Sequence, residues 1–398
     1  MKKVLVIGAG EYQIPLIKRL KEFGHTVYCI DGNVLAPGFQ CADAFEIIDV
    51  RDKEACLRYA KKIGINAVMT YGATITLPTV AYIGNRLGLP ALNEKTAEVS
   101  MNKFKIKQCL ASGGLNIKGT FFSLRDASEK ENKSIDLPCV IKPSDGSGSK
   151  GVSIVTDKSE IDTAIKYAFD SARFGEIYIE GFIEGDEYSV EVFCGNGQKH
   201  IYAIVKTTFY CDDNGELHYG HRIPSGLPSD VERDIENEVL KAIDALEITM
   251  GSVNFDVIVS NEDKKPYIID VGIRIGQNLI ASHLIPLSRG VNELDSIIHL
   301  SLGEVADIDP KYKRCVASRL LIYEPGVISE IKDYSGIIGK NNIINVVLRK
   351  GVGDILRPYK EKSDSCGWVL TYGNTPDEAE ENAESARQLL KDYIIISK

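Results

Sequence analysis

The sequence predicts an α/β fold that gives way to α+β: a wound parallel sheet with helices on both faces, then a mixed unit with a glycine-rich hairpin, then a small C-terminal α+β part. Three observations lead there. Strand and helix patterns alternate over residues 1–92, two apolar strands flank a loop of glycine, serine and aspartate, and two later strands each carry an aspartate in apolar surroundings. With 398 residues, 44% of them hydrophobic, the chain has material for two or three domains.

In order, VLVIGAG from Val4 to Gly10 reads as a buried strand running into glycines, IPLIKRLKEFG as an amphipathic helix closed by Gly24, and HTVYCID as a strand ending at Asp31. These make a βαβ unit. RDKEACLRYAKKIG with INAVMTYG, and LPTVAYIGNRLG with the turn LPALN, continue the alternation, and a parallel sheet is its simplest assembly. The turn from Gly8 to Gln13 has the setting of a dinucleotide fingerprint, but Gln13 stands where a third glycine would let helix and strand pack closely. A nicotinamide cofactor is therefore not expected.

From Asn93 the pattern changes. NEKTAEVSMNKFKIKQCLASGG reads as one helical stretch, LPCVIKP and GVSIV as strands, TDKSEIDTAIKYAFDSARFG as a helix with a capping box at Asp157 and Glu160, and IYIEGFI as a strand. EYSVEVFCGNGQKHIYAIVKTTFY continues in strands, a polar tip lies at 212–215, and a long helix runs from about Asp230 to Leu246. SVNFDVIVS and KPYIIDVGIR are paired strands. From about Lys311, short strands with glycine turns lead to a terminal helix in DEAEENAESARQLLKDY.

The formal charge of −9 gives no basic surface for a phosphate backbone, so nucleic acid is not an expected partner. The nine cysteines show no C-x-x-C pair and no metal-ligand spacing against the six histidines, which suits reduced thiols filling a core. The apolar run in MKKVLVIGAG breaks at Gly8 and no window approaches a membrane span. A cytoplasmic location and no membrane partner are expected.

Three clusters carry chemistry. In VIKPSDGSGSKGVSIV, Lys142 ends an apolar strand, and the loop beyond it exposes backbone N–H groups that can cradle phosphate, with Lys150 adding charge. The P-loop template fails, because Gly151 follows Lys150 where a hydroxyl should be. In YIEGFIEGDEYSVE, Glu180 ends a strand, Phe182 and Ile183 form an apolar connector fit for a base, and Glu187 offers a carboxylate to a ribose. On the paired strands, Asn254 and Asp256 are two apart, as are Asp270, Gly272 and Arg274, so each set shares a strand face. Carboxylates among Val257, Ile258, Ile268 and Ile269 need a cation, either Arg274 itself or Mg²⁺ with nucleotide phosphates.

Together these clusters resemble the ATP-grasp ligases, in the branch holding carbamoyl-phosphate synthase-like, glycinamide ribonucleotide synthetase-like and amino acid ligase-like chains. The resemblance implies a Rossmann-like preATP-grasp domain at 1–92, an ATP-grasp domain at 93–310 with a lid subdomain at about 115–185, and a C-terminal α+β domain at 311–398. It implies ATP contacts from Lys103, Lys142, Ser147, Gly148, Ser149, Lys150 and Gly151, an adenine hinge at Glu180, Gly181, Phe182 and Ile183, and Glu187 on the ribose. Asp256 and Asp270, with Asn254, would hold Mg²⁺ or Mn²⁺, Arg274 would steady an acyl-phosphate, and His221 would lie near the acceptor. The family usually has Asn where this chain has Gly272. Either Asn254 supplies the missing oxygen or one metal site is weak.

The activity implied is ADP-forming joining of a small carboxylate to an amine through an acyl-phosphate, with a homodimer left open. A glycinamide ribonucleotide synthetase-like or bicarbonate-activating reaction on the same fold, and a non-catalytic nucleotide-binding module, are the alternatives.

Overall fold

The computed structural model describes residues 1–146, 150–212, 215–276, 279–360 and 362–397. Its first sheet contains β1 (Lys3–Ile7), β2 (Thr26–Asp31), β3 (Ala44–Ile47) and β4 (Ala67–Met69), in the order β3-β2-β1-β4 with every pair parallel. Around it pack α1 (Ile14–Glu22), α2 (Lys53–Ile63) and α3 (Leu77–Leu87). The two-residue period of β1 divides the core: Val4 and Val6 meet Leu16, Ile17 and Leu20 of α1, while Leu5 and Ile7 meet Leu57, Ala60 and Ile83 of α2 and α3. Strand β3 was absent from the sequence reading. It is an edge strand with Phe45 and Ile47 about half exposed, so it carries no buried apolar run to announce it.

Two short helices, α4 (Glu94–Val99) and α5 (Lys103–Ser112), replace the single helical stretch expected after Asn93. Asn93 and Asn102 each act as an N-cap, accepting from the backbone N–H of Thr96 and Lys105, and the second cap resets the chain direction.

A small sheet follows, made of β5 (Phe122–Leu124), β6 (Cys139–Pro143), β7 (Ser153–Val155) and β8 (Ile177–Gly181) in the order β5-β8-β6-β7, with α6 (Ile161–Ser171) packed on it through Ala164, Ile165 and Ala168. β6 and β7 are antiparallel, Cys139 opposite Val155, so the glycine-rich segment is a hairpin connection. The Asp157–Glu160 capping box is formed.

The large sheet contains β9 (Gly185–Gly195), β10 (Gln198–Asp212) and β11 (Gly215–Ile223), then, after α7 (Ser229–Ala245), β12 (Gly251–Ser260) and β13 (Pro266–Gly272). Helices α8 (Ile285–Arg289) and α9 (Glu293–Ser301) lead on to β14 (Cys315–Leu320), β15 (Gly326–Ile331), β16 (Ile343–Leu348), β17 (Ile355–Leu356), β18 (Gly367–Gly373), α10 (Pro376–Leu389) and β19 (Ile394–Ser397). Strands β14, β18 and β16 extend the large sheet, whose order is β13-β12-β9-β10-β11-β14-β18-β16, while β17-β15-β19 form a sheet of their own. The C-terminal segment is therefore welded to the sheet that carries Asp256 and Asp270. Among the described residues no helix is long and apolar enough to cross a membrane.

Candidate functional site

The small sheet, β12–β13 and the first turns of α5 converge on one charged cleft. Lys103 opens α5, where its backbone N–H donates to Ser144 O at 2.6 Å and its ammonium pairs with Asp270. Lys107 lies one turn further along the same helix face. Its Nζ meets Glu180 Oε2 at 2.7 Å, and Lys142 Nζ meets Glu180 Oε1 at 2.5 Å and donates to Ile269 O at 3.1 Å. Lys107, Lys142 and Glu180 are all buried. Burial alone would draw the Lys142 pKa down, yet Glu180, Tyr178 and Asp270 outweigh it and raise it; burial would lift Glu180, yet Lys142 and Lys107 hold it below the usual range.

Asp256 and Asp270 are direct partners across β12 and β13. Burial and the charge of Asp270 push Asp256 up, whereas Asp270 stays low because Lys103 and Lys142 overcome its burial. Asn254 stands opposite Gly272, and its Nδ2 donates to Ser189 Oγ at 2.6 Å and to Glu191 Oε1 at 2.8 Å. The expectation that Arg274 shares a strand face with Asp270 and Gly272 needs correction: β13 ends at Gly272. Arg274 instead folds back, so that a Cβ at position 272 would lie 3.4 Å from its Cζ and Nε. A guanidinium thus fills the space beside Gly272.

Around the connector, Phe182 N–H donates to Pro138 O at 3.1 Å, Ile183 is buried, and a Cβ on Gly181 would lie 2.7 Å from Lys118 O. The Glu180 side chain turns away from this connector to its two lysines. Glu187 opens β9 with its carboxylate 4.0 Å from His218 Nε2. Lys150 is exposed, and Gly151, at φ +79°, has Ser171 Cβ and Pro143 Cγ within 2.7 Å of where a Cβ would stand, so only glycine fits. Ser147, Gly148 and Ser149 lie outside the described residues.

His221 is buried on β11 opposite Ser318, its ring stacked on Trp368 at 6.0 Å, and neither ring nitrogen has a hydrogen bond. Burial, with Lys362, His218 and Arg319 adding to it, keeps it neutral. Lys362 comes from the C-terminal segment and was missed by sequence reasoning. Burial lowers its pKa against the opposing pull of Asp256 and Glu187, which places its ammonium over the same cleft. It sits in a turn with no periodic signal. Lys107 was also missed, although its spacing from Lys103 on a helix was readable. Two buried glutamates, Glu191 and Glu293, complete the surroundings of Arg274.

Comparison with known proteins finds relatives along the chain. Residues 100–277 match the ATP-grasp domain family, and residues 319–393 match the L-amino acid ligase C-terminal domain 2 family. A formate-dependent phosphoribosylglycinamide formyltransferase from Prochlorococcus marinus subsp. pastoris is 26% identical, over 98% of this chain and 97% of that one. The L-amino acid ligase structure from Bacillus licheniformis superposes with a TM-score of 0.81 at 22% identity, covering 100% of this chain and 99% of the other. The phosphoribosylglycinamide synthetase structure from Anaerococcus prevotii gives 0.76 at 21% identity, covering 100% and 99%. The glycine hairpin, the lysines beneath it and the aspartates of β12 and β13 thus belong to a chain that is a member of the ATP-grasp superfamily of ligases.

Proposed function

We propose that the chain is an ATP-dependent, ADP-forming carboxylate–amine ligase acting through an acyl-phosphate. The observation that carries this reading is the placement of Arg274 beside the half-buried Asp256–Asp270 pair, beneath a hairpin flanked by Lys142 and Lys150. Lys103, Lys142 and the hairpin would hold the ATP phosphates, the connector at Gly181 to Ile183 the adenine, and Glu187 the ribose. The donor set fits a divalent cation. Burial and the neighbouring charge of Asp270 push Asp256 up, and Mg²⁺ commonly rests on one or two carboxylates plus nucleotide phosphates. Bound there, the ion would neutralise charge on the phosphate oxygens.

The γ-phosphoryl group passes to the carboxylate while negative charge spreads over the transferring oxygens. Arg274 is positioned to meet that charge on the acyl-phosphate side, and Lys362 adds a cation from the C-terminal segment. His221, neutral and buried, presents no charge to the acceptor and shapes the wall beside it. The match of residues 319–393 to the amino acid ligase C-terminal domain supports an amino acid as the carboxylate. The similarity over 98% of the chain to the formyltransferase supports formate with a phosphoribosyl amine as the second reading.

Release of ADP and phosphate, measured with ATP and Mg²⁺ over a matrix of amino acids, formate and small amines, tests the proposal. Turnover with a defined pair and formation of ADP are expected. AMP and pyrophosphate as products would overturn the acyl-phosphate route.

A further inference from the structure

A cavity of about 80 Å³ lies between the N-terminal sheet and the strands of the charged cleft. One wall is Val68 of β4 with Leu77 and Ala81 of α3; the other is Met250, just before β12, with Ile273 and Ile275, just after β13. All six side chains are apolar. Arg274, between the two isoleucines, also lines the cavity. Its guanidinium donates from Nη1 to Ile275 O at 3.1 Å and closes no salt bridge among the described residues, so most of its five N–H donors are left for a ligand.

Strand register places that guanidinium between the cavity and the aspartates. Ser252, which lines the cavity, then Asn254 and Asp256 succeed one another on one face of β12, so about 13 Å separates the first from the last. Asn254, in the middle, is paired with Gly272 of β13, and the space a Cβ would take at Gly272 is bounded by Arg274 Cζ and Nε at 3.4 Å. Directly paired residues share a face of the sheet. The guanidinium therefore stands midway along the row, with the acids of the nucleotide site at one end and the apolar cavity at the other. A carboxylate bound to Arg274 is held beside Asp256 and Asp270, and the group it carries on its far side points to the cavity.

Volume limits that group. A dry apolar cavity of about 150 Å³ admits benzene, so 80 Å³, roughly half as much, takes a group of about three carbon atoms. We propose that this cavity is the side-group subsite for the carboxylate substrate: Arg274 takes the carboxylate, and the cavity takes a compact branched aliphatic group of about three carbons. This deepens the ligase reading and rests on it. It also separates the two carboxylates considered above, because formate carries no carbon to place there. Each carbon buried in such a subsite raises affinity about fourfold.

Calorimetry on the full chain with ADP and Mg²⁺ tests this, using acetate, isobutyrate, benzoate and the neutral isobutyramide as probes. Isobutyrate adds two carbons to acetate and should bind about tenfold more tightly, while benzoate, too large for the cavity, should bind no better than acetate. Isobutyramide should bind about tenfold or more weakly than isobutyrate, as expected when a hydrogen-bond partner loses its charge. Ala81→Leu, which fills the cavity, should bring isobutyrate down to the level of acetate and leave acetate within about twofold. Val80→Ala, which enlarges it, should shift the preference towards 2-ethylbutyrate. Equal affinity for acetate, isobutyrate and benzoate, isobutyramide as tight as isobutyrate, no binding of any carboxylate, or an unchanged isobutyrate preference in Ala81→Leu would overturn the proposal. If a variant fails to fold, the four probes on the unaltered protein still decide. ADP binding, recorded first in the same titrations, reports separately on the ligase reading: ADP bound with no preference among the acids sinks the subsite alone.

Discussion

Two pairs of carboxylates flank Arg274, and they differ in burial and in what faces them. Asp270, its side chain 35% exposed, looks towards Lys103 and Lys142 and is held low, while Asp256 beside it is pushed up by burial and by the charge of Asp270. Glu191 and Glu293 face no lysine, and burial drives both up. The same class of side chain is therefore held low at Asp270, half-buried beside two lysines, and raised at Glu191 and Glu293, which are fully buried. Counter-charge and depth together decide the state of each acid. The difference suits the side that holds Asp270 low beside its lysines to a metal with its nucleotide.

The largest effect should come from breaking the charged pair. Asp270→Asn removes the carboxylate that joins Lys103 to the β12–β13 site, and turnover should fall by about a thousandfold, equivalent to about 4 kcal/mol of transition-state stabilisation. Steady-state ADP release measures it. An Asp270→Asn enzyme within tenfold of the parent would show that β13 does not carry the metal.

Next comes the lysine support. Lys142→Ala leaves Glu180 with Lys107 as its remaining buried partner. Loss of one side of a buried pair commonly costs about 3–5 kcal/mol, and the surviving lysine should hold the loss nearer 2 kcal/mol. Urea unfolding gives the stability, and ATP titration should show affinity weakened by about tenfold or more. An unchanged ATP affinity would move the nucleotide away from β6.

What the sequence disclosed follows the same division. Lys142, Asp256 and Asp270 stood out because a charge in an apolar strand breaks a two-residue pattern. Glu191 breaks the pattern in Tyr188 to Phe193 in the same way, and that signal went unused. Glu293 left no trace, since an acid after an Asn cap is an ordinary helix start; its burial is produced by α9 packing on β12, a contact between distant segments. The hairpin, the wound sheet and the terminal helix were readable from local period. Strand β3, the Asn102 cap inside an apparent single helix, and the return of Arg274 over Gly272 depend on edge position, capping and strand termination, which hydropathy does not encode.

The uncharged pair should reveal itself through pH. The Glu293 carboxyl rises from 4.5 to about 7 on folding, so between those values the folded state holds a proton that the unfolded chain releases. Stability should therefore fall as pH rises through that window and level off above it, by about 3 kcal/mol in total. Glu293→Gln removes the penalty. Its melting temperature should gain on the parent as pH goes from 5 to 8, and parallel pH profiles for the two proteins would count against a protonated Glu293.

The smallest change tests the guanidinium between the pairs. Gly272 does not adopt a left-handed conformation, so an alanine there meets no backbone strain, and its methyl would touch Arg274 at 3.4 Å, at the edge of ordinary contact. Fewer unfolded conformations should leave Gly272→Ala as stable as the parent or more so, by about 0.4–1 kcal/mol. Activity should move the other way. A guanidinium displaced by a few tenths of an ångström loses alignment with the acyl-phosphate, so kcat should drop by about two- to tenfold while ATP affinity stays within about twofold. A variant that loses ATP affinity as much as kcat would place Arg274 on the nucleotide in the ground state, and the comparison between its two flanks would then rest on the glutamates alone.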